Sequence, residues 1–411
     1  MRILYLSQYF PPEVGATQNR AYEMAANFVK KGHQVTMLTE IPNHPSGIIN
    51  PEYCGKFMVR SNWDGIDVIR VWVKASPIKS FLNRMLFYIS YMINTTIAGL
   101  LVARERYDFI YVTSPPLFVG VAGLFNMFIR QIPMIFEVRD LWPDSAVYLG
   151  ELKNSTVITL ARKLELACYK YAELIVVVTE GTKHILVKRG IPAEKIVVIP
   201  NGANLNRYQF DSEGRDKIRR QLNLEDKFVA IYAGIHGIAQ GLEIIIKAAK
   251  ILDSQSQIHF LMIGSGPQKA ILRQMVSNYG LTNVTLHNEV SMDEMSCYLS
   301  AADIALIPLK NIDLFKHVLP SKMFDAWACR RPIILLVDGE ARRVMEEAQT
   351  GVFVPPENPE LLAETLIELQ KSPDDLQRMG LNGRKYVEDH FSREILAEQL
   401  LLVLESLLNT S

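Results

Sequence analysis

Only four cysteines occur among the 411 residues, Cys54, Cys168, Cys297 and Cys329, and none belongs to a Cys-x-x-Cys pair. That scarcity and spacing exclude a disulfide framework and a thiolate zinc site, and they fit a reducing compartment. Charge of one sign is not in excess: 44 lysines and arginines balance 44 aspartates and glutamates, for a formal net charge of +0. Broad nucleic-acid binding needs a basic surplus, so no nucleic-acid partner is expected and any anion recognition is local. No charged n-region or cleavage site accompanies the opening Arg2-Ile3-Leu4-Tyr5-Leu6-Ser7. A signal peptide is therefore not expected, and the expected compartment is the cytoplasm. The dinucleotide fingerprint Gly-x-Gly-x-x-Gly, internal repeats and low-complexity tracts are all missing.

Long hydrophobic runs are rare as well. One stretch, Met85 to Ala103, is uncharged between Arg84 and Arg104 and approaches the length of a bilayer span. It carries Ser90, Asn94, Thr95 and Thr96, which are costly in lipid, and no second stretch could satisfy them. The expectation is a helix that packs into its domain, either wholly buried or showing a membrane an apolar surface flanked by Lys79, Arg84 and Arg104.

What is present is globular. Apolar residues make up 49% of the chain, and its length suits two domains of about 200 residues each. Short β-branched runs at 3–6, 35–39, 68–73, 109–113, 134–138, 174–179 and 196–199 alternate with helical periodicity, as over 17–31 and 158–171. Pro200-Asn201-Gly202 and a polar stretch to Asp226 interrupt the pattern. It restarts with strands at 228–233, 259–263, 284–287, 304–307, 333–337 and 352–354, and turns helical from Pro359. This predicts an α/β protein of two Rossmann-like, doubly wound domains facing a central cleft. The expected limits are 1–200 and 201–390, with a helix over 391–411 returning to the first domain. Ligands bind such sheets at the carboxyl ends of their strands.

Several residues sit where such a ligand would lie. Gly15 and Ala16 open the first helix after the first strand, and the glycine serves either a phosphate-approaching loop or the turn alone. In the second half, Gly234 ends a strand and Gln240-Gly241 opens the next helix, a plausible phosphate seat built on backbone N–H groups. Gly264 and Gly266 form a tight turn after the following strand, with or without a ligand beside it. The most informative stretch runs from His317 to Trp327. Pro320 and Ser321 are helix starters, and Lys322 falls in the first turn. A cation there is unfavourable unless an anion shares the site, so Lys322 points to a phosphate. Asp325 lies one turn on, placed to accept hydrogen bonds from ribose hydroxyls. Gly339 and Glu340 start a further helix that offers backbone donors. Finally, Glu137, Arg139, Asp140 and Asp144 crowd the end of one strand, which means either a cleft-facing edge or a structural ion-pair cluster.

Taken together these landmarks resemble the retaining GT-B transferases of glycosyltransferase family 4, in the branch that assembles bacterial O-antigen and capsule repeat units. The carrying residues are Tyr9-Phe10-Pro11-Pro12-Glu13 with Gly15, Glu137-x-Arg139-Asp140-Leu141-Trp142-Pro143, Pro200-Asn201-Gly202, Tyr232-Ala233-Gly234, Gln240-Gly241-Leu242, Pro320-Ser321-Lys322 and Asp338-Gly339-Glu340. The pattern is most similar to transferases of N-acetyl-L-fucosamine and related acetamido sugars. The resemblance implies a UDP-sugar donor in the second domain and a polyprenyl-diphosphate-linked saccharide acceptor in the first. It also implies work at the inner face of the cytoplasmic membrane, without metal or cofactor. Asp325 takes the second carboxylate position of the family's Glu-x7-Glu signature, whereas His317 stands at the first. Ile235 and Gln240 replace the usual Arg and Lys of the glycine loop. Lys322, with Arg139, would then neutralise the diphosphate as the leaving group departs, and Asp140 and Glu137 would position the acceptor. A GT-B nucleotide-sugar 2-epimerase and a nucleotide-sugar-binding subunit without turnover stay open as alternatives.

Overall fold

The computed structural model describes residues 1–410 apart from 14, 45, 79, 102–105 and 255–256, with the side chains of Ala16, Phe81 and Thr410 also outside the description. Lys79, Arg104 and the end of the Met85 to Ala103 stretch thus lie outside the described residues. The chain forms two compact units, Met1–Ile199 with Leu396–Ser411, and Pro200–Ile395.

The first unit is built on eight strands: β1 (Arg2–Leu6), β2 (Gln34–Glu40), β3 (Met58–Trp63), β4 (Ile66–Val71), β5 (Phe109–Ser114), β6 (Met134–Val138), β7 (Leu174–Val177) and β8 (Ile196–Val198). They lie in the order β3-β4-β2-β1-β5-β6-β7-β8. All neighbours are parallel except β3, which runs antiparallel to β4. Every residue of β5 and β6 is buried, as a strand covered on both faces must be. β3 is the exception. It is mostly exposed and polar, and it joins β4 through Asp64-Gly65 with φ of 51° and 84°, the left-handed pair a two-residue hairpin needs. The sequence reading passed over β3 because it lacks a buried apolar face. Its polar side chains suit a sheet edge, where they discourage further pairing.

The uncharged stretch becomes a helix, Phe81–Leu101, and its polar groups find partners in its own unit. Tyr91 Oη donates to the Leu38 carbonyl at 3.0 Å, Asn94 Nδ2 to the Trp72 carbonyl at 2.7 Å, and Ser90 Oγ accepts from Lys74 N at 2.8 Å. The opposite face leaves Leu82, Leu86, Ile89, Ile93, Ile97 and Leu101 exposed at helical spacing. Among the described residues no helix is long and apolar enough to cross a membrane. The last helix, Arg393–Thr410, buries Leu396, Ala397, Leu400, Leu401 and Leu404 in the core of this same unit, beside Phe28 and Tyr111.

The second unit holds β9 (Phe228–Ala233), β10 (Ile258–Ile263), β11 (Val284–His287), β12 (Ile304–Pro308), β13 (Ile333–Leu336) and β14 (Gly351–Phe353). All are parallel, in the order β11-β10-β9-β12-β13-β14. Strand order reverses beside β1 in one unit and beside β9 in the other. Loops leaving the strands there diverge, and the opening between them is where open α/β sheets take ligands.

Candidate functional site

In the second unit the chemistry gathers where β9 and β10 end and helix Ser321–Ala328 begins. The loops after β9 and β10 pair like a continuation of the sheet. His236 N donates to the Ser265 carbonyl at 2.7 Å, and Gln268 N donates to the His236 carbonyl at 2.9 Å. This close pairing explains Gly264, because a Cβ there would collide with the Gly234 carbonyl. Gly266 abuts the His236 backbone in the same way. Lys269 locks the arrangement, its buried ammonium donating to the Gly264 carbonyl at 2.7 Å, the His287 carbonyl at 2.8 Å and Asn288 Oδ1 at 2.9 Å. Gly241, left-handed at φ 57°, closes the loop before helix Glu243–Ile251, and Gln240 folds back over Gly237.

Lys322 lies against this loop. A Cβ on Gly234 would strike its Cε, and its Nζ stands 5.5 Å from the centre of the Tyr232 ring. Among the described residues its ammonium has no hydrogen-bond or ion-pair partner. Burial pulls its pKa below the usual lysine value, and the nearby Asp325 carboxylate opposes that shift. Helix Ser321–Ala328 starts at Pro320 with no side-chain cap, so its first N–H groups add the positive end of the helix dipole. A lone, half-buried cation beside an uncapped helix start is a cradle for an anion such as a diphosphate.

Two more sequence-marked segments of this unit, at His317 and at Gly339, pack on each other. His317 ends the short helical turn Asp313–His317, in which Lys316 Nζ pairs with Asp313 Oδ1 at 2.8 Å. Gly339 (φ 91°) starts helix Glu340–Ala348 hard against the Lys316 carbonyl, where a Cβ would collide. Besides Lys269, a histidine of this site escaped the sequence reading. His236 is fully buried within the glycine loop, and among the described residues neither ring nitrogen meets a hydrogen-bond partner. Burial, then the Lys269 charge, push its pKa down to about 4, so the ring is neutral at physiological pH. The only signal for it was a histidine set among the loop glycines.

In the first unit, Glu137 on β6 is enclosed. Its carboxylate accepts from Arg20 Nε at 2.9 Å, Tyr111 Oη at 2.9 Å and Thr113 Oγ1 at 2.5 Å. Burial alone would raise its pKa, but Arg20, Arg139 and the Thr113 hydrogen bond hold it below the usual carboxylate value. Arg20 also donates to the Ile199 carbonyl at 2.9 Å. Glu137 therefore belongs to a structural ion-pair cluster, the second of the two readings its sequence allowed. It ties helix Ala16–Lys30 to the sheet, its carboxylate engaged by Arg20, Tyr111 and Thr113. Asp144 likewise pairs with Arg162 and Arg189. Asp140 differs. It keeps a solvent-reached edge, accepts from Ser145 Oγ at 2.8 Å, and has its pKa raised by the protein packed around it. Arg139 is half-buried beside it. Gly15 caps helix Ala16–Lys30 in extended conformation (φ 165°), with the Gln18 amide folded over the space a side chain would need.

Comparison with known proteins accords with this two-unit plan. Residues 15–202 match the glycosyl transferase 4-like domain, and residues 214–386 match the glycosyl transferases group 1 domain. An Escherichia coli (strain K12) protein, WcaI, named as a colanic acid biosynthesis glycosyl transferase, is 25% identical over 418 residues, spanning 98% of this chain and 99% of that one. Among solved structures, the sucrose-phosphate synthase of Thermosynechococcus elongatus superposes with a TM-score of 0.78 at 20% identity, covering 100% of both chains. Anabaena HepE, in complex with UDP and glucose, gives 0.76 at 17% identity, over 99% of this chain and 100% of that one. With one matched domain following the other along most of its length, the chain belongs to the GT-B glycosyltransferases that join a 4-like domain to a group 1 domain.

Proposed function

We propose that this protein transfers a sugar from a UDP-sugar to a lipid-linked saccharide during assembly of a bacterial surface polysaccharide. The observation that carries the reading is the Lys322 ammonium, over the Tyr232 ring but without a hydrogen-bond or ion-pair partner among the described residues, and held against Gly234 at an uncapped helix start. Such a site suits a nucleoside diphosphate leaving group, whose charge grows as the glycosidic bond breaks. Lys322 and the helix N–H groups take up that charge in place of a metal ion, and Asp325, one turn on, accepts from the ribose hydroxyls. Support for the pathway comes from WcaI, whose name places it in colanic acid biosynthesis. Support for the nucleotide comes from HepE, which holds UDP and glucose on the same fold.

The transferred sugar is an acetamido sugar of the N-acetyl-L-fucosamine kind, and transfer retains its anomeric configuration. Asp140 in the first unit positions the acceptor, and the exposed apolar face of helix Phe81–Leu101 rests on the inner membrane surface. Calorimetric titration with UDP, GDP, dTDP and NAD in the presence of EDTA tests the donor site. UDP is expected to bind the chelated wild-type protein and to lose most of its affinity for Asp325→Ala. Preference for NAD, or binding only when divalent metal is restored, would overturn the proposal.

A further inference from the structure

At the carboxyl ends of β1, β5 and β6, where the strand order of the first unit reverses, the structure encloses a cavity of about 460 Å³. That volume falls within the range of about 300–1,000 Å³ typical of small-molecule sites. Its wall is apolar: Met85, Leu117, Phe118, Trp142, Leu149 and Leu152. Tyr88 stacks on Phe118 across 6.1 Å and stiffens one side. Charge reaches it at few points, through Asp140 and the Arg84–Glu151 pair, whose atoms stand 3.4 Å apart. A sugar ring needs a dense set of hydrogen-bonding partners, and beyond the Arg84–Glu151 pair the lining offers only a few, such as Tyr9, Asp140 and Ser145. Hydrocarbon suits it.

The route in is equally marked. Helix Phe81–Leu101 turns Met85 and Tyr88 into the cavity while Leu82, Leu86, Ile89 and Ile93 remain exposed on its outer side. Leu160, on helix Ser155–Tyr171, both lines the cavity and is exposed, so apolar surface runs from the interior to the outside. We infer that this cavity holds the phosphate-proximal hydrocarbon of a membrane-borne lipid phosphate, with Arg84 turning from Glu151 to meet the phosphate. The inference rests on the lipid-linked acceptor proposed above and assigns its lipid a seat separate from its saccharide.

The test titrates farnesyl phosphate, inorganic phosphate and UDP separately into the full-length protein by calorimetry. Two variants accompany the wild type: Ala161→Phe, which fills the cavity, and Met85→Gln, which keeps the volume but makes the wall polar. Farnesyl phosphate is expected to bind the wild type and to weaken at least tenfold in both variants, with UDP binding unchanged in each. Inorganic phosphate is expected not to bind the cavity. Farnesyl phosphate binding that neither variant weakens, or no binding to a wild type that binds UDP, would overturn the inference alone. Failure of UDP to bind any of the three would instead count against the proposed function.

Discussion

Lys322 concentrates the argument at the scale of single residues. Its ammonium is half-buried and has no hydrogen-bond or ion-pair partner among the described residues, an arrangement whose cost a bound diphosphate would relieve. Lys322→Met should therefore leave thermal stability unchanged or higher while weakening UDP binding about tenfold to a hundredfold, the cost of one lost charged hydrogen bond of about 1.5–3 kcal/mol. Lys322→Arg should not restore affinity, since Gly234 packs directly on Cε and leaves no room for a guanidinium. Calorimetry beside a melting curve separates the two effects. Lys322 was legible because Pro-Ser-Lys at a helix start has a local meaning. Glu137 was visible as a charge, but its role depends on Arg20, 117 residues away. His236 and Lys269 were not legible at all: an ordinary histidine and an ordinary helix-start lysine acquire their roles only when the loops after β9 and β10 close on each other.

At the scale of elements, buried parallel strands announced themselves as continuous β-branched runs, so all six strands of the second unit and the inner strands of the first were readable to within a residue or two. β3 was not, because an exposed edge strand carries no apolar face, although Asp64-Gly65 was a hairpin signal that deserved more weight. The closing helix is a further case. Its packing partners lie at the opposite end of the chain: Leu396, Leu400 and Leu404 pack with residues such as Phe10 and Phe28, and His33 Nε2 approaches Glu405 at 3.6 Å. Leu400 is 0% exposed. Leu400→Ala should thus destabilise the first unit by about 2–5 kcal/mol, the usual cost of a large-to-small core change. Urea unfolding followed in a fragment-free, full-length sample checks it. A loss below about 0.5 kcal/mol would mean that the helix is not part of that core.

At the scale of the whole molecule, zero net charge and the exposed apolar residues of two neighbouring helices point the same way. Helix Phe81–Leu101 exposes Leu82, Leu86, Ile89, Ile93 and Ile97, and its neighbour Phe118–Arg130 adds Phe125, Phe128 and Ile129. Arg130 joins the two helices by donating from Nη2 to the Gly99 carbonyl at 2.6 Å. A formal net charge of +0 supplies no general attraction to anionic lipid. The proposed membrane binding on this surface would then come from apolar burial, at about 25 cal/mol per Å² of surface removed from water. Sedimentation with vesicles should accordingly persist in 1 M salt, where the Debye length is about 3 Å, and should change little between neutral and anionic lipid. Leu86→Gln combined with Ile93→Gln should weaken it by about a hundredfold, roughly tenfold for each anchoring side chain lost, because each tenfold corresponds to about 1.4 kcal/mol. UDP affinity should stay the same in the double variant, since these residues lie in the first unit and Lys322 in the second. Binding abolished by salt would instead assign the interaction to a local basic patch, with Arg84 its described member, and the apolar face would need a different occupant.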